Sequence, residues 1–258
     1  MATQLEYARR SVATPAMQAC AKAERTEAET VLRAVAAGHA VIPRNPAHAN
    51  LEPVVVGRAF RTKVNANIGR SPHRSSPGEE VEKLRVALDA GADFIMDLSV
   101  GSDLPGIRKG ILDHCPAPLG TVPIYEALSR VDGAARKLSS RLLLDVIQQQ
   151  AAEGVDFMTL HAGLLRDHVP LAARRRMGIV SRGGAILAEW MVEYARENPL
   201  YAEWDAVMEI CRAHDVTVSL GDGLRPGCLA DASDQAQFAE LDVLGELVTR
   251  CRDNGVQV

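Results

Sequence analysis

From residue 63 onward, short apolar segments alternate with longer segments in which apolar residues recur every three or four positions. Short apolar segments are typical of buried strands, and the longer pattern is typical of amphipathic helices. Strands and helices that alternate at a mean interval of about 30 residues indicate βαβ units around a parallel sheet. The pattern predicts strands at residues 63–69, 94–99, 119–125, 157–161, 178–183, 216–220 and 255–258.

Helix signals occupy the intervals between these predicted strands. The sequence Ser-Pro-Gly-Glu at residues 76–79 is a capping box with proline in the first turn, so a helix is predicted to begin there. Further helices are predicted over residues 139–154, 183–191 and 235–252. The last of them has apolar residues that share one side, which we expect to be buried. These residues are Phe238, Leu241, Leu244, Leu247 and Val248.

This order of elements predicts the α/β class and, within it, a (β/α)₈ TIM-type barrel, which takes eight strands in roughly 250 residues. A doubly wound open sheet is the alternative. No G-x-G-x-x-G sequence follows the first strand, so a dinucleotide-binding fold has little support. About seven strands are present, because the seventh is cut soon after it begins at Gly255 and the eighth is missing. We therefore expect an incomplete barrel, either a fragment or one whose gap something else fills.

Residues 1–62 lack this alternation, and we predict that they form a small helical and loop cap on the barrel domain of residues 63–258. Thr14 followed by Pro15 is typical of a helix start, with threonine as the N-cap. The later part of this segment is rich in proline and has no periodicity. Within it, the Arg-Asn-Pro-Ala-His sequence at residues 44–48 is expected to be a surface loop rather than part of a site.

Composition narrows the class of protein further. The chain has 258 residues, is 47% hydrophobic and carries a formal net charge of −4, which argues against a general nucleic-acid binder. No apolar run approaches the length of about 20 residues that spans a bilayer, and the first residues do not resemble a signal peptide. We expect a cytoplasmic protein without membrane contact. The five cysteines form no C-x-x-C pair, so neither a disulfide framework nor a zinc knuckle is predicted. They are Cys20, Cys115, Cys211, Cys228 and Cys251.

Polar groups follow the predicted strands at their carboxyl ends, where parallel α/β proteins place their active sites. The Gly-Asp-Gly-Leu-Arg sequence at residues 221–225 brings backbone N–H groups, a carboxylate and a guanidinium together. The Ser-Arg-Gly-Gly sequence at residues 181–184 opens a helix and is a plausible phosphate cradle. His161 can donate or accept a proton near neutral pH. The strand-end set is Asn65, Asn67, Met96, Asp97, Ser99, Tyr125, His161, Ser181, Arg182, Asp222 and Arg225.

Each of these residues also has a structural interpretation. His161 can be a satisfied structural histidine, Met96 a core residue, and Tyr125 a ring packed under a loop. Asp97 can pair with a neighbouring arginine. A site is favoured because six successive strands each end in groups that can contact a polar ligand. The residues alone therefore predict a small, phosphorylated, heteroatom-rich ligand, but they do not specify a reaction.

Several motifs occur in an order that closely resembles the phosphomethylpyrimidine synthase (ThiC) family of thiamine biosynthesis. They lie at residues 64–69, 96–99, 120–125, 160–163, 178–184, 219–227 and 235–241. The resemblance implies a (β/α)₈ barrel that rearranges 5-aminoimidazole ribotide into 4-amino-5-hydroxymethyl-2-methylpyrimidine phosphate. It also implies a carbon–carbon lyase that uses S-adenosylmethionine, a [4Fe–4S] cluster and a divalent metal, zinc, and that forms a homodimer.

The resemblance further implies which residues bind the substrate. They are Asn67, Met96, Tyr125, His161, Ser181, Arg182, Gly183, Asp222, Gly223, Leu224 and Arg225. This set agrees closely with the strand-end set, and it includes Met96, which packing alone assigns to the core. No catalytic residue is assigned, although His161 is a candidate proton donor or acceptor.

The departures from the family pattern concern its radical chemistry. In the family, the metal-binding histidines and the C-x-x-C-x-x-x-x-C cluster motif lie beyond the position of Val258, so no metal ligand is expected within this chain. The five cysteines cannot replace that motif by their spacing. Without a cluster, no side chain supplies the electron that cleaves S-adenosylmethionine. We expect this chain to carry most of the substrate pocket and to be inactive alone.

Two alternatives stay open at this point. One is the anaerobic hydroxybenzimidazole synthase of cobamide biosynthesis, whose binding motifs do not differ in a way that separates the two activities. The other is a cluster-free paralogue that only binds a ribotide or assembles with a full-length partner.

Overall fold

A computed structural model describes residues 2–71 and 76–258 of the chain. The strands in this part are β1 (Ala40–Val41), β2 (Val56–Gly57), β3 (Asn65–Ile68), β4 (Phe94–Asp97), β5 (Leu119–Thr121), β6 (Phe157–Leu160) and β7 (Thr217–Leu220). The α-helices are α1 (Gln4–Arg9), α2 (Pro15–Glu24), α3 (Ala28–Ala36), α4 (Pro77–Asp89), α5 (Leu104–Leu112), α6 (Pro123–Ser129), α7 (Ser140–Glu153), α8 (Val169–Ala172), α9 (Arg182–Tyr194), α10 (Pro199–Ala202), α11 (Trp204–His214) and α12 (Gln235–Asp253).

Strands β3 to β7 form a five-stranded parallel sheet in which neighbours in sequence are neighbours in space. Helices lie between successive strands, as βαβ units require. The predicted α/β class and the parallel arrangement are therefore confirmed. The five strands do not show a closed barrel, which stays a prediction. Strands β1 and β2 form a separate antiparallel pair near the N-terminus that the sequence did not indicate.

Three predicted strands are wrong in whole or in part. No strand is assigned over residues 178–183, because Gly178 has a left-handed φ of 59° and Ser181 caps helix α9. Strand β5 ends at Thr121, since Pro123 cannot donate a ladder hydrogen bond and instead begins helix α6. As a result, Tyr125 lies in a helix rather than at a strand end. The C-terminal residues 255–258 are not assigned as a strand, although the backbone N–H of Val218 donates to the carbonyl of Gln257 at 2.9 Å.

Alternating strand residues explain where the main core lies. Ile95, Leu119, Met158 and Val218 point toward the helices and are at most 2% exposed. The predicted apolar side of α9, which includes Trp190, is buried in the same layer. The capping box at the start of α4 is present, with reciprocal bonds between Ser76 and Glu79. The sheet therefore has one face covered by helices, and its other face is concave.

The predicted buried side of helix α12 is partly wrong. Phe238 and Leu241 are 52% and 48% exposed, whereas the residues turned toward the protein are Ala236, Glu240, Leu247 and Cys251. The helix is therefore rotated relative to the prediction made from its largest apolar residues. A carboxylate lies within its buried side, and that carboxylate is part of the candidate site described below.

The N-terminal segment covers the amino ends of the strands. The backbone N–H of Gln4 donates to Asp215, which comes just before β7, and the hydroxyl of Thr3 donates to the carbonyl of Gly255. Lys63, which precedes β3, forms a buried ion pair with Glu24 at 2.8 Å. Thr14 caps α2 as predicted. These contacts place the segment at the end of the sheet opposite to the carboxyl ends of the strands.

Residues 44–48 are not the surface loop that the sequence predicted. Asn45 and His48 are 1% and 6% exposed, and both contact Asp156, which precedes β6. Nδ1 of His48 lies 2.7 Å from Asp156, and Nε2 lies 2.8 Å from the carbonyl of Cys115. The Cys115 carbonyl can only accept a hydrogen bond, so Nε2 of His48 carries a proton. Burial opposes a charged ring, but the Asp156 carboxylate outweighs it and raises the pKa of His48.

Among residues 2–71 and 76–258, no helix combines the length and the apolar character that crossing a membrane requires.

Candidate active site

His161 lies directly after β6, in a slot between two glycine-containing segments. A Cβ atom on Gly183 would lie 2.4 Å from Cε1 of the ring, and one on Gly221 would lie 2.9 Å from Cδ2. Only residues without side chains therefore fit on either side of this imidazole. The slot joins three sequence-predicted parts of the site: the end of β6, the start of α9 and the loop after β7.

The His161 ring is only 4% exposed, and its Nδ1 atom has no hydrogen-bond partner within the described residues. Burial lowers the pKa of His161 to about 4, while the charge of Asp222 works in the opposite direction and that of Arg225 in the same direction. The imidazole is therefore neutral near pH 7. The sequence predicted that His161 could exchange a proton near neutral pH. The lowered pKa differs from that prediction because the sequence does not reveal how completely the ring is enclosed. A neutral ring can still donate one hydrogen bond and accept another.

The start of helix α9 presents backbone donors beside this ring. Ser181 is the N-cap, and its hydroxyl accepts the N–H of Gly184 at 3.2 Å, so the predicted helix opening is confirmed. Within the described residues, no hydrogen bond is found from the N–H groups of Arg182 and Gly183. Such donors and the helix dipole favour an anion at this position. The guanidinium of Arg182 lies 4.9 Å from the ring centre of Tyr125, which brings two further predicted residues together.

Residues 221–225 form the loop after β7, which we call the DGLR loop. Its backbone is held from behind by Glu240 of α12, whose two carboxylate oxygens accept the N–H groups of Gly223 and Leu224 at 2.7 Å each. Arg175 donates to the carbonyl of Leu224 at 2.7 Å. The N–H groups of Gly223 and Leu224 are therefore not available to a ligand, and the Leu224 side chain is completely buried.

Asp222 and Arg225 are the residues of the DGLR loop whose charged side chains reach solvent. They pair with each other, with 3.1 Å between Nη1 and Oδ1. Because both are exposed, this pair contributes little to stability and can open to contact a ligand. Of the predicted binding residues in the loop, these two offer charged groups, whereas Gly223 and Leu224 offer shape.

An open cavity of about 570 Å³ lies on the inner face of the sheet. It is lined by Asn65, Met96, Thr159 and Ser219 and, at the amino ends of the strands, by Phe94, Phe157 and Thr217. His161, Arg182 and the DGLR loop do not line it, so it is separate from the slot around His161. Met96 is half-buried there, so it is not only a core residue. Asn67 pairs in register with Met96 and accepts a hydrogen bond from Asn65 at 2.9 Å. Thr159 and Ser219 were not among the predicted site residues.

The two remaining strand-end candidates stabilise the turn after β4. The carboxylate of Asp97 accepts the N–H of Ser99 at 2.9 Å, and the hydroxyl of Ser99 accepts the N–H of Arg70 at 2.9 Å. Burial raises the pKa of Asp97, although Ser99 and Arg108 work against the shift. We assign these two residues to local structure rather than to ligand contact.

Glu240 and Arg175 were missed as residues of the site. Burial raises the pKa of Glu240 to about 7, against the two N–H bonds, which lower it. Two sequence signals for Glu240 existed: it lies within the family motif at residues 235–241, and it is a charged residue at helical spacing from the buried residues Ala236 and Leu247. Arg175 had no such signal, because it lies in a run of three arginines that resembles a solvated segment.

The cysteines do not provide a site for an iron–sulfur cluster. Burial raises the pKa of Cys20, Cys115 and Cys251 to about 12 each, and it also raises that of Cys211. The thiol of Cys228 donates to Asp231 at 3.4 Å. Clusters are held by thiolates, so the four buried, protonated thiols do not fit one, and the five cysteines are dispersed along the chain. In the described ranges, no three His, Cys, Asp or Glu side chains are grouped to hold a metal ion.

Comparison with known proteins shows which family this chain belongs to. The model of the radical SAM ThiC family matches residues 3–258. A phosphomethylpyrimidine synthase from Natronomonas pharaonis is 57% identical over 258 residues, which are 100% of this chain and 54% of the relative. The synthase from Halobacterium salinarum is 55% identical over 257 residues, covering 100% and 54%. That from Haloarcula marismortui is 52% identical over 256 residues, covering 99% and 53%. The chain spans about half the length of these curated relatives.

Proposed function

Because this chain belongs to the radical SAM ThiC family, we propose that it forms the substrate-binding part of a phosphomethylpyrimidine synthase. Such an enzyme converts 5-aminoimidazole ribotide into 4-amino-5-hydroxymethyl-2-methylpyrimidine phosphate for thiamine. The observation that carries the proposal is the convergence on His161 of the start of α9 and the DGLR loop. Three chain segments that carry family motifs, the end of β6, the start of α9 and the DGLR loop, meet there. The place lies at the carboxyl ends of the neighbouring strands β6 and β7.

The phosphate of the ribotide is assigned to the start of α9. The N–H groups of Arg182 and Gly183, the helix dipole and the Arg182 guanidinium all favour an anion there. Ser181 stabilises the helix start by capping it. The Arg182 side chain is kept near this position by the ring of Tyr125. Arg225 of the DGLR loop can supply a second guanidinium.

The aminoimidazole and ribose are assigned to His161, Asn67, Met96 and Asp222, which the family resemblance implies are substrate-binding residues. His161, as a neutral imidazole, can hydrogen bond a ring nitrogen or a hydroxyl without carrying charge. The amide of Asn67 can donate and accept, and the Met96 side chain offers an apolar contact to a flat heterocycle. Asp222 can accept from a ribose hydroxyl. This arrangement orients the substrate and holds protons at defined atoms.

The family implies S-adenosylmethionine and an iron–sulfur cluster, which together supply the radical when bound. The cysteines of this chain do not fit that cluster, so the radical step is not assigned to its residues. We propose that the five strands belong to an eight-stranded barrel, and that residues 1–62 form its cap. A zinc site and a homodimer, which the family resemblance implies, are further proposals.

Titration calorimetry with 5-aminoimidazole ribotide tests the binding part of this proposal. We expect the 258-residue chain to bind the ribotide at least about tenfold more tightly than the dephosphorylated riboside, because the phosphate contacts are charge-assisted. Arg182→Ala should reduce that difference, whereas Arg141→Ala on the exposed side of α7 should not. Equal binding of ribotide and riboside, or no binding of either, contradicts the proposal.

We also expect no pyrimidine product from this chain alone, so turnover contradicts the limited role assigned to it.

The relatives compared above bear the pyrimidine synthase name, which favours this product over the benzimidazole alternative.

A further inference from the structure

We propose that Glu240 and Arg175 are positioning residues that fix the backbone of the DGLR loop and thereby aim Asp222 and Arg225 at the ligand. The inference rests on the proposed function for the identity of that ligand. It goes beyond that function because it assigns a role to two side chains that lie behind the site and do not face the cavity.

The two residues hold complementary groups of the same peptide segment. Oε1 of Glu240 accepts the N–H of Gly223, and Oε2 accepts the N–H of Leu224, each at 2.7 Å. Nη2 of Arg175 donates to the carbonyl of Leu224 at 2.7 Å. A carboxylate thus binds the donors of the loop and a guanidinium binds its acceptor. Together they fix the orientation of three consecutive peptide planes, from Asp222 to Arg225.

Both positioning residues are tied to the start of helix α12. Asp234, the N-cap of that helix, accepts from Nε and from Nη2 of Arg175 at 2.7 Å each, and it also accepts the N–H of Gln237 at 2.9 Å. Glu240 lies about one and a half turns farther along the same helix. The helix therefore serves as a rigid base to which the loop is attached at both its N–H and its carbonyl groups.

The surrounding sequence leaves room for the Glu240 carboxylate. A Cβ on Gly223 would lie 3.0 Å from Oε1, and one on Gly163 would lie 3.2 Å from Cγ of the same glutamate. Glu240 is 2% exposed and Leu224 is fully enclosed, whereas Asp222 and Arg225 point outward. The pair Glu240 and Arg175, which we call the clamp, is thus buried behind the loop. The side chains that it orients, Asp222 and Arg225, are accessible to a ligand. Filling a cavity needs only an apolar residue, but fixing two peptide N–H groups needs an acceptor with two oxygens.

The expected effects follow from the number of acceptors that remain. Glu240→Ala leaves two buried N–H groups without an acceptor, and we expect ribotide affinity to fall about tenfold because the loop is no longer preorganised. Glu240→Gln keeps one acceptor oxygen and should lose less, about threefold. Glu246→Ala is the matched control, since Glu246 lies on the exposed side of the same helix. It should leave affinity unchanged.

The experiment combines a measurement without ligand and one with ligand. Amide hydrogen exchange at Gly223 and Leu224, read by NMR, should accelerate about tenfold or more in Glu240→Ala and remain unchanged in Glu246→Ala. Calorimetry with 5-aminoimidazole ribotide, well below the unfolding temperature of each variant, should show the affinity losses given above. Partial recovery in Glu240→Gln distinguishes positioning from a general loss of packing.

Four outcomes decide the inference. Faster exchange together with weaker ribotide binding confirms it. Faster exchange with wild-type affinity overturns the positioning role, and unchanged exchange overturns the clamp itself. If the unaltered chain binds no ribotide, the proposed function fails and the aiming role fails with it, while the exchange data still decide whether the clamp exists. If Glu240→Ala does not fold, Arg175→Lys replaces it, because lysine cannot hold Asp234 and the Leu224 carbonyl together in the same fork geometry.

Discussion

At the start of helix α9, Gly184 lies directly against the backbone of the DGLR loop. A Cβ here would be 2.4 Å from the carbonyl oxygen of Gly223 and 2.8 Å from its Cα. A backbone atom cannot move aside as the tip of a side chain can, so Gly184→Ala must displace the loop. We expect it to weaken ribotide binding about tenfold and to destabilise the fold by about 1–3 kcal/mol. Calorimetry and urea unfolding measure the two effects.

Gly245 provides the matched control, since it also lies in a helix but has open space around it. Within the described residues, and apart from its own helix backbone, no heavy atom lies within 4 Å of the position that a Cβ would take. Gly245→Ala should stabilise the fold by about 0.5–1 kcal/mol, because alanine loses less backbone entropy than glycine in a helix interior. Ribotide affinity should not change. Equal destabilisation by the two substitutions would show that the contact between Gly184 and Gly223 does not matter.

At the scale of single elements, helix α1 is attached through a buried carboxylate. Both oxygens of Asp215 accept the N–H of Gln4, at 3.2 and 3.0 Å. Burial raises the pKa of Asp215 from 3.8 to about 7, with Gln4 and Arg44 working against the shift and Glu6 adding to it. The folded protein therefore holds a proton that the unfolded chain has released. The stability from this carboxyl is fully present below about pH 4 and is lost as pH rises through about 7.

Asp215→Asn removes this titration while keeping the shape of the side chain. The free energy of unfolding of the variant, relative to that of the unaltered chain, should rise by about 3 kcal/mol between about pH 4.5 and about pH 8. Urea unfolding at both pH values measures it, and the comparison cancels the other titrating groups. A difference that stays constant with pH would mean that Asp215 is ionised throughout.

The sequence predicted those elements whose signals are local. The capping box at Ser76, the Thr14 N-cap and the Ser181 helix start depend on neighbours within four residues, and all three are present. The predicted strand at residues 178–183 failed because Gly178 has a left-handed φ, Ser181 caps helix α9 and the segment pairs with no strand. The predicted face of α12 failed because tertiary contacts to Glu240 override the size of exposed residues such as Phe238.

The candidate site divides in the same way. Exposed groups at strand ends, such as Asp222 and Arg225, could be predicted because parallel strands bring their carboxyl ends together. Glu240 and Arg175 could not, because their role depends on backbone groups of a loop that is distant in sequence. The neutral state of His161 was also hidden, since it results from enclosure by Gly183 and Gly221 and not from neighbours in sequence.

At the scale of the whole molecule, the two ends of the sheet have different tasks. The N-terminal segment bonds to residues that come just before strands, among them Lys63, Asp156 and Asp215. The residues assigned to the ligand lie at the opposite, carboxyl ends. A parallel sheet permits this separation, because stabilising contacts at one end leave the loops at the other end free to carry binding groups.

This arrangement predicts that residues 1–62 unfold together with the rest of the chain, although their helices have an apolar cluster of their own. Asp156 connects the two parts of the chain. It contacts His48 and accepts the backbone N–H of Asn45 in the N-terminal segment, and it also accepts the N–H of Leu119 in β5. Asp156→Ala leaves these backbone donors buried without an acceptor and removes the carboxyl group that raises the pKa of buried His48. We expect a loss of about 3–5 kcal/mol that lowers the unfolding midpoint of both parts equally. Hydrogen exchange by mass spectrometry in urea, on peptides from α2–α3 and from α7–β6, measures both midpoints.

Asp145→Ala is the control for this substitution, because Asp145 is exposed on α7. Its one ion pair within the described residues, with Arg141 at 3.8 Å, is also exposed and contributes little to stability. Its midpoints should match those of the unaltered chain. If Asp156→Ala lowers the midpoint of the N-terminal peptides alone, the segment is a separable cap that merely rests on the sheet. If both midpoints fall together, the cap and the amino ends of the strands form one cooperative unit, so that ligand binding at the far end should raise both midpoints as well.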